Sequence, residues 1–372
     1  MATTFKNISS NDVVSQRSLL HEAVPITGSI VSGTYNNAAD GAEYNIKNYS
    51  HGMFQSVYDY PYLSSSANHI FDVTTGYAAG SSLSGTSNVT QQDKKINLYT
   101  EMAQVLNGFD YTGSVQLFDE DGNRADGGTK LKECFFLNFS RLLMKDELKK
   151  GSFTLELGVS GTYTYTNTFN ERVYLKDTNA QNDFKVNTPT GEYGILYATN
   201  ALGSALVNTQ QGGAGASTAV KAGLLFYQTG IAVITGSIFG SLLSGASEGT
   251  PLRFNNVDDT VSMAMTGSSI SGACDGFRHR IYDMSFNNTT ELNSTMYFCR
   301  ANNNEFNYSS NTTYLSASRL RVKNNSADLP VSFITTVGLY SANNELLAVA
   351  KLSEPLQKDP TQEFVLKVRL DY

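Results

Sequence analysis

The last residues of the chain alternate strictly. Phe364, Leu366, Val368, Leu370 and Tyr372 fall on one side, and Val365, Lys367, Arg369 and Asp371 on the other. A period of two is the signature of a β-strand with one covered face. The pattern recurs upstream, where Phe153, Leu155 and Leu157 alternate with Thr154 and Glu156, and Thr162, Thr164 and Thr166 with Tyr163 and Tyr165. The run "VSFITTVGLYSANNELLAVAKLSEP" predicts two strands about Ala342, Asn343 and Asn344, since asparagine suits the positive φ of a tight turn. Helical spacing is rarer. Ile96, Tyr99, Met102, Val105 and Leu106 form an apolar stripe in "KKINLYTEMAQVLNGF", which predicts a helix over 94–109 that stops at Asn107 and Gly108. A second short helix is expected over 140–149, carrying Leu142, Leu143, Met144 and Leu148. No heptad is sustained, which argues against a coiled-coil shaft.

These patterns predict a mainly β protein with a few short helices, a multi-domain β-sandwich-like or mixed β assembly. The 372 residues, 40% of them hydrophobic, suffice for two or three cores. Four segments are expected: residues 1–45, an N-terminal arm or edge strands; 46–190, a β-rich domain with short helices; 191–330, a Gly/Ser-rich β domain with a buried apolar segment; and 331–372, a C-terminal hairpin and final strand. Within the second, 46–75 reads as an irregular aromatic surface, because Pro61 interrupts the alternating Tyr58, Tyr60 and Tyr62. The charge-free run from Ala222 to Gly245 is long enough to cross a bilayer, but its glycines, Gln228 and short β-branched pieces fit buried strands instead. No stable membrane insertion is expected.

Charged residues make up only 16% of the chain, and the net charge is −7. A generic nucleic-acid binder needs a concentrated basic footprint, and the densest one, Lys145, Lys149 and Lys150, is diluted by Asp146 and Glu147. No specific nucleic-acid partner is expected. Cys134, Cys274 and Cys299 are too few and too far apart for a disulfide framework, although pairing of Cys274 with Cys299 stays open. The start of the chain lacks the basic-then-apolar pattern of a signal peptide.

Catalytic signatures are missing from the sequence. The glycines at 212, 213, 215 and 223 lack a strand-to-helix context for a nucleotide, and His21, His51, His69 and His279 are scattered. In "DEDGNRADGG" the oxygens of Asp119, Asp121 and Asn123 are spaced for a hard cation. Glycine at the fourth position and Lys130 at the twelfth depart from an EF-hand, so a turn or hairpin is expected, with a cation left open. No catalytic residue, cofactor or metal ligand is assigned. The candidate partner-contact residues are Tyr58, Tyr60 and Tyr62, from the aromatic segment, and Arg278, His279 and Arg280, from "FRHR".

Three blocks, "FFLNFSRLLMKDELKKGSFTLELG" (135–158), "GLLFYQTGIAVITGSIFG" (223–240) and "FITTVGLYSANNELLAVAKLSEPLQKD" (333–359), resemble virion structural proteins of marine tailed bacteriophages. They are most similar to proteins of contractile-tailed cyanophages. "LLHEAVPITGSIVSGTY" and "YSHGMFQSVYDYPYLSSSANHIFD" also look like this group, so the resemblance covers most of the chain. It implies a non-enzymatic structural subunit of the particle, in the tail, baseplate or neck. Its partners would be other phage structural proteins and copies of itself, and its assembly would occur in the cytoplasm of the bacterial host. A capsid-surface or vertex protein, a receptor-binding adhesin and a cell-wall-degrading virion enzyme are the alternatives. A deep acidic cleft with facing carboxylates would favour the last.

Overall fold

A computed structural model describes residues 5–27, 42–85, 89–123, 128–143, 147–158, 172–199, 218–239, 265–308 and 329–372, with a few isolated positions between them. The protein is mainly β. In chain order the first strands are β1 (Val13–Thr27), β2 (Ile46–Asn48), β3 (Gln55–Tyr58) and β4 (His69–Tyr77), followed by helix α1 (Gln92–Leu106). Next come β5 (Phe118–Asp119), β6 (Lys130–Leu131), β7 (Glu133–Asn138), β8 (Glu147–Leu148), β9 (Thr154–Gly158), β10 (Arg172–Lys176), β11 (Lys185–Asn187) and β12 (Gly191–Thr199). Two short strands, β13 (Val207–Asn208) and β14 (Thr218–Ala219), precede β15 (Lys221–Phe226), β16 (Ile231–Thr235) and helix α2 (Ile270–Arg278). The last are β17 (Ile281–Ala301), β18 (Leu315–Ser316), β19 (Arg319–Leu320), β20 (Ser332–Tyr340), β21 (Leu346–Lys358) and β22 (Phe364–Asp371). The chain divides into two compact units, Leu20–Thr290 and the combination of Met1–Leu19 with Glu291–Tyr372. It passes between them inside β1 and inside β17.

In the Leu20–Thr290 unit the strands run in the order β17, β9, β10, β12, β15, β16, β7, β4, β3, β2. The pairings are antiparallel, for example Val233 opposite Phe136 and Thr74 opposite Phe136. Its middle is covered on both faces. Along β7, Phe135 and Leu137 join one apolar cluster and Cys134 and Phe136 the other. On β15 and β16, Leu225, Ala232 and Ile234 face the first cluster, and Leu224, Phe226 and Val233 the second. Strands buried on both faces lose their alternation and read as continuous apolar runs, which is why 223–239 resembles a membrane segment in sequence. No helix among the described residues is long and apolar enough to cross a membrane.

Helices close the two faces. Helix α2 brings Ile270, Ala273, Cys274 and Phe277 to the first cluster, and the Phe277 ring stacks on Phe135 at 4.6 Å. Helix α1 brings Tyr99, Ala103 and Leu106 to the second. Its stop falls where the sequence predicts. Gly108, at φ +80°, donates its N–H to the Ala103 and Gln104 carbonyls, a left-handed cap that glycine adopts without a Cβ clash. The buried stripe is rotated from the expected one: Lys95, Leu98 and Ala103 are buried, while Val105 is exposed.

Two local expectations are corrected. The region 140–149 holds only a 3₁₀ turn over Ser140–Leu142 and the short strand β8, with 144–146 outside the described residues. Here non-local bonds outweigh helix propensity: Leu148 donates to the Tyr227 carbonyl at 3.1 Å, and Asn288 Nδ2 donates to the Leu142 carbonyl at 2.7 Å. The segment 46–75 is not wholly irregular, since it contains β2, β3 and most of β4. Its strand character is masked in sequence by buried Gln55, Ser56 and Thr74, whose side chains find partners inside the fold. The alternating Thr162–Thr166 stretch lies outside the described residues.

In the other unit, residues 294–301 of β17 pair antiparallel with β22, from Ser294 opposite Asp371 to Ala301 opposite Phe364. On the other side of β17, β1 is tied by Ser15 to Thr295 at 3.3 Å, and Asp12, just before β1, pairs with Arg300 at 2.7 Å. β20 and β21 pair as a hairpin around 342–344, where Asn344 has φ +62° as expected for that turn. On β22, Phe364, Leu366, Val368 and Leu370 are the more covered residues and Val365, Lys367, Arg369 and Asp371 are exposed, as the alternation in the sequence predicts, whereas Tyr372, expected on the covered face, is exposed just past the strand end.

The approach of α1 to β4 yields a test. A Cβ on Gly76 would lie 2.5 Å from the Lys95 carbonyl oxygen and 2.9 Å from the Tyr99 nitrogen, both helix backbone, whereas one on Gly80 meets nothing within 4 Å. Urea unfolding is expected to place Gly76→Ala about 1–3 kcal/mol below the wild type, with Gly80→Ala nearly neutral. Equal stability of the two variants would contradict this packing.

Candidate interaction surfaces

The expected partner-contact residues separate into two environments. Tyr58 ends β3, and Pro61 carries the chain into a loop bearing Tyr60 and Tyr62. The loop is closed by reciprocal bonds: the Asn68 backbone N–H and Nδ2 donate to the Asp59 carboxylate at 2.6 and 2.8 Å, and the Asp59 N–H donates to the Asn68 carbonyl at 3.0 Å. Four rings and an imidazole gather here. Tyr58 meets His69 edge-on at 5.5 Å and lies 6.3 Å from Tyr62, while Tyr60 meets Tyr35 edge-on at 5.4 Å. Tyr58 and Tyr62 are half-buried, and Tyr60 and Leu63 are exposed at the tip. Tyr58 and Tyr62 thus pair with each other, and Tyr60 pairs with Tyr35.

Arg278 and Arg280 of the basic triplet lie in the interior, with His279 half-buried between them. Helix α2 starts at Ser269, whose hydroxyl accepts from the Gly272 N–H at 3.1 Å, and Arg278 occupies its last turn with no exposed surface. Its guanidinium donates to the Val31 carbonyl at 2.7 Å, to Asp275 at 2.9 Å and to Glu43 through both Nη1 and Nη2. His279 Nε2 lies 3.0 Å from the same Glu43 carboxylate, and Gln55 Nε2 donates to Asp275 at 2.7 Å. Arg278 and Arg280 are therefore corrected from expected surface contacts to interior residues. Arginine suits this place because its planar fork satisfies two carboxylates and a carbonyl at once. The pattern "FRHR" is read as exposed in sequence only because its carboxylate partner, Glu43, is distant in the chain.

Burial sets the electrostatics of this cluster. For Glu43, burial works to raise the carboxyl pKa, but the hydrogen bond with His279 and the charge of Arg278 prevail and hold it at about 2 rather than 4.5. Burial lowers His279 below the usual imidazole range and Arg280 to about 10. Lys95, which carries no sequence signal of burial, is also enclosed. Its ammonium donates to the Met265 and Ser268 carbonyls at 2.5 and 2.7 Å, and burial lowers it to about 8. These buried cations tie distant chain segments together.

The acidic loop is a hairpin, β5 against β6, with Asp119 paired to Lys130 and accepting from the Asp121 N–H at 3.1 Å. Residues 124–127 lie outside the described residues, and no group of three or more potential ligands is gathered among the described ones. Cys134 and Cys274 are buried free thiols and Cys299 is half-buried and free.

Among the described residues, exposed large hydrophobic side chains are most numerous in the unit made of Met1–Leu19 and Glu291–Tyr372. Among its described residues the buried hydrophobic ones are only Ala301, Leu339 and Val368, whereas fourteen large hydrophobic side chains are exposed. Both apolar clusters lie wholly in Leu20–Thr290. Comparisons with family models, with curated proteins and with solved structures found no match for this chain.

The Glu43 cluster has a definite pH signature. A carboxylate depressed on folding stabilises the fold fully above its unfolded value of 4.5, and that stabilisation is lost as pH falls through about 2. Glu43→Gln leaves a buried guanidinium short of its counter-charge and is expected to cost about 3 kcal/mol at neutral pH. Chemical unfolding across pH should show the gap between wild type and variant closing from pH 4.5 towards 2. A gap that persists unchanged to pH 2 would contradict the cluster.

Proposed function

We propose that this chain is a structural subunit of a tailed bacteriophage particle, acting by protein–protein assembly in the tail, baseplate or neck. The observation that carries the assembly part is the contrast between the two units. Leu20–Thr290 buries two apolar clusters, while the unit of Met1–Leu19 and Glu291–Tyr372 spends long strands on a fold with three buried hydrophobic residues among those described. Its β20–β21 hairpin pairs only with itself in the described sheets. A lone two-stranded hairpin is marginal in water, and burying one exposed Leu, Val or Phe is worth about 1.5–3 kcal/mol before ordering costs. Contact with neighbouring subunits supplies the cover that the chain lacks.

The particle itself rests on the resemblance of residues 135–158, 223–240 and 333–359 to virion structural proteins of marine contractile-tailed phages. On this proposal the partners are other structural proteins of the particle and further copies of the chain. The exposed loop of Tyr60 and Leu63 is a second contact surface, of the aromatic and aliphatic kind that anchors interfaces. The acidic net charge of −7 sets nucleic acid apart from these partners.

Electron microscopy of particles carrying a gold label on this chain tests the proposal. Label at the tail, baseplate or neck is the expected result. Label confined to the head surface would move the chain to the capsid, and purified particles lacking the chain would overturn the structural role.

A further inference from the structure

The outward face of the β20–β21 hairpin is more specific than a generally apolar surface. Val349 pairs with Gly338, so the two share a face. A Cβ on Gly338 would lie 2.9 Å from the Tyr340 ring and 3.3 Å from Leu346 Cδ1, which places both side chains over the bare glycine on that face. The Phe5 ring meets Tyr340 edge-on at 4.8 Å. Tyr340, Leu346 and Val349 are 45%, 53% and 53% exposed, while Leu339, on the opposite face, is buried. Leu339 is covered by its own chain, whereas Tyr340, with Phe5 against its ring, and Leu346 and Val349 stay about half exposed on the face of Gly338.

Charge indicates what covers it. The patch itself is uncharged and is bracketed by exposed Glu345 at the turn end and exposed Lys351 at the other. Lys351 stands opposite Thr336, which shares the strand parity of Gly338 and Tyr340. If two such faces meet about a two-fold axis near Ala348, the apolar centres face each other and Glu345 of each copy faces Lys351 of the other. A self-complementary patch of this kind is what an isologous interface requires. The surrounding unit is also nearly neutral, with ten Lys and Arg against nine Asp and Glu, whereas Leu20–Thr290 carries a net −8. Copies brought together through the near-neutral unit avoid the like-charge repulsion that the acidic one would impose.

We infer that this hairpin face is a homotypic docking surface on which a second copy of the chain packs, Tyr340, Leu346 and Val349 against their counterparts. The inference rests on the assembly reading and names its partner.

Sedimentation velocity of the purified full-length chain at micromolar concentration tests it. The wild type is expected to be dimeric. Leu346→Glu with Val349→Glu buries unpaired charge and should weaken association more than about 100-fold, with the far-ultraviolet circular dichroism unchanged. Glu345→Lys and Lys351→Glu should each weaken the dimer, and the two together should restore it, a rescue that misfolding does not produce. A monomeric wild type, a dimer indifferent to the two glutamates, or charge reversal without rescue would overturn the inference. A chain monomeric alone yet present in particles sinks the homotypic face and leaves the assembly reading standing. A patch-dependent dimer missing from particles does the reverse.

Discussion

Water is kept from both faces of the central strands of Leu20–Thr290, and most of what is ordered in this protein follows from that. Strands β7, β15 and β16 contribute alternate residues to two apolar clusters, so each needs a cover above and below. Helix α1 supplies one and α2 the other. A close-packed arrangement of this kind tolerates little change in volume, which is why the chain has glycine at position 76, where α1 meets β4. Polar groups enclosed along the way are compensated in place: Arg278 by Glu43 and Asp275, Lys95 by main-chain carbonyls, and Gln55 by Asn48 and Asp275.

The second unit follows a different economy. Its strands are long, with thirteen residues in β21, but its apolar side chains remain in contact with solvent. Its ion pairs, Lys6 with Glu305, Arg17 with Glu291, Asp12 with Arg300 and Arg369 with Asp371, each include at least one exposed group and add little to stability. Backbone pairing, as between β17 and β22, gives the unit its register; apolar burial from within the chain does not match it. On the proposed assembly reading, neighbours complete the unit, which would account for both properties.

Much of this was legible in the residues. The alternation of 364–371, the Asn343–Asn344 turn and the Asn107–Gly108 helix stop each have a local physical cause and appear where that cause puts them. The buried hairpin of β15 and β16 was legible as a charge-free run. What escaped has non-local causes. Residues 140–149 carry helix-like spacing, but the bonds from Leu148 to Tyr227 and from Asn288 to Leu142 tie them to distant strands. Arg278 and Arg280 look like a surface patch because Glu43 is more than two hundred residues away. The polar residues of β3 hide a buried strand, and nothing in the sequence sets Lys95 apart from Lys94. The compact units are likewise not contiguous: the N-terminal residues share a unit with the C-terminal ones, because β1 and β22 both lie beside β17.

Hydrogen exchange read by mass spectrometry, on the isolated chain and on the chain within assembled particles, bears most directly on the central claim that neighbours complete the second unit. Amides of β20 and β21 are expected to exchange rapidly in the isolated chain diluted to its monomer and to become protected on assembly, while those of β15 and β16 are protected in both. Equal protection of the hairpin in the two states would contradict the account.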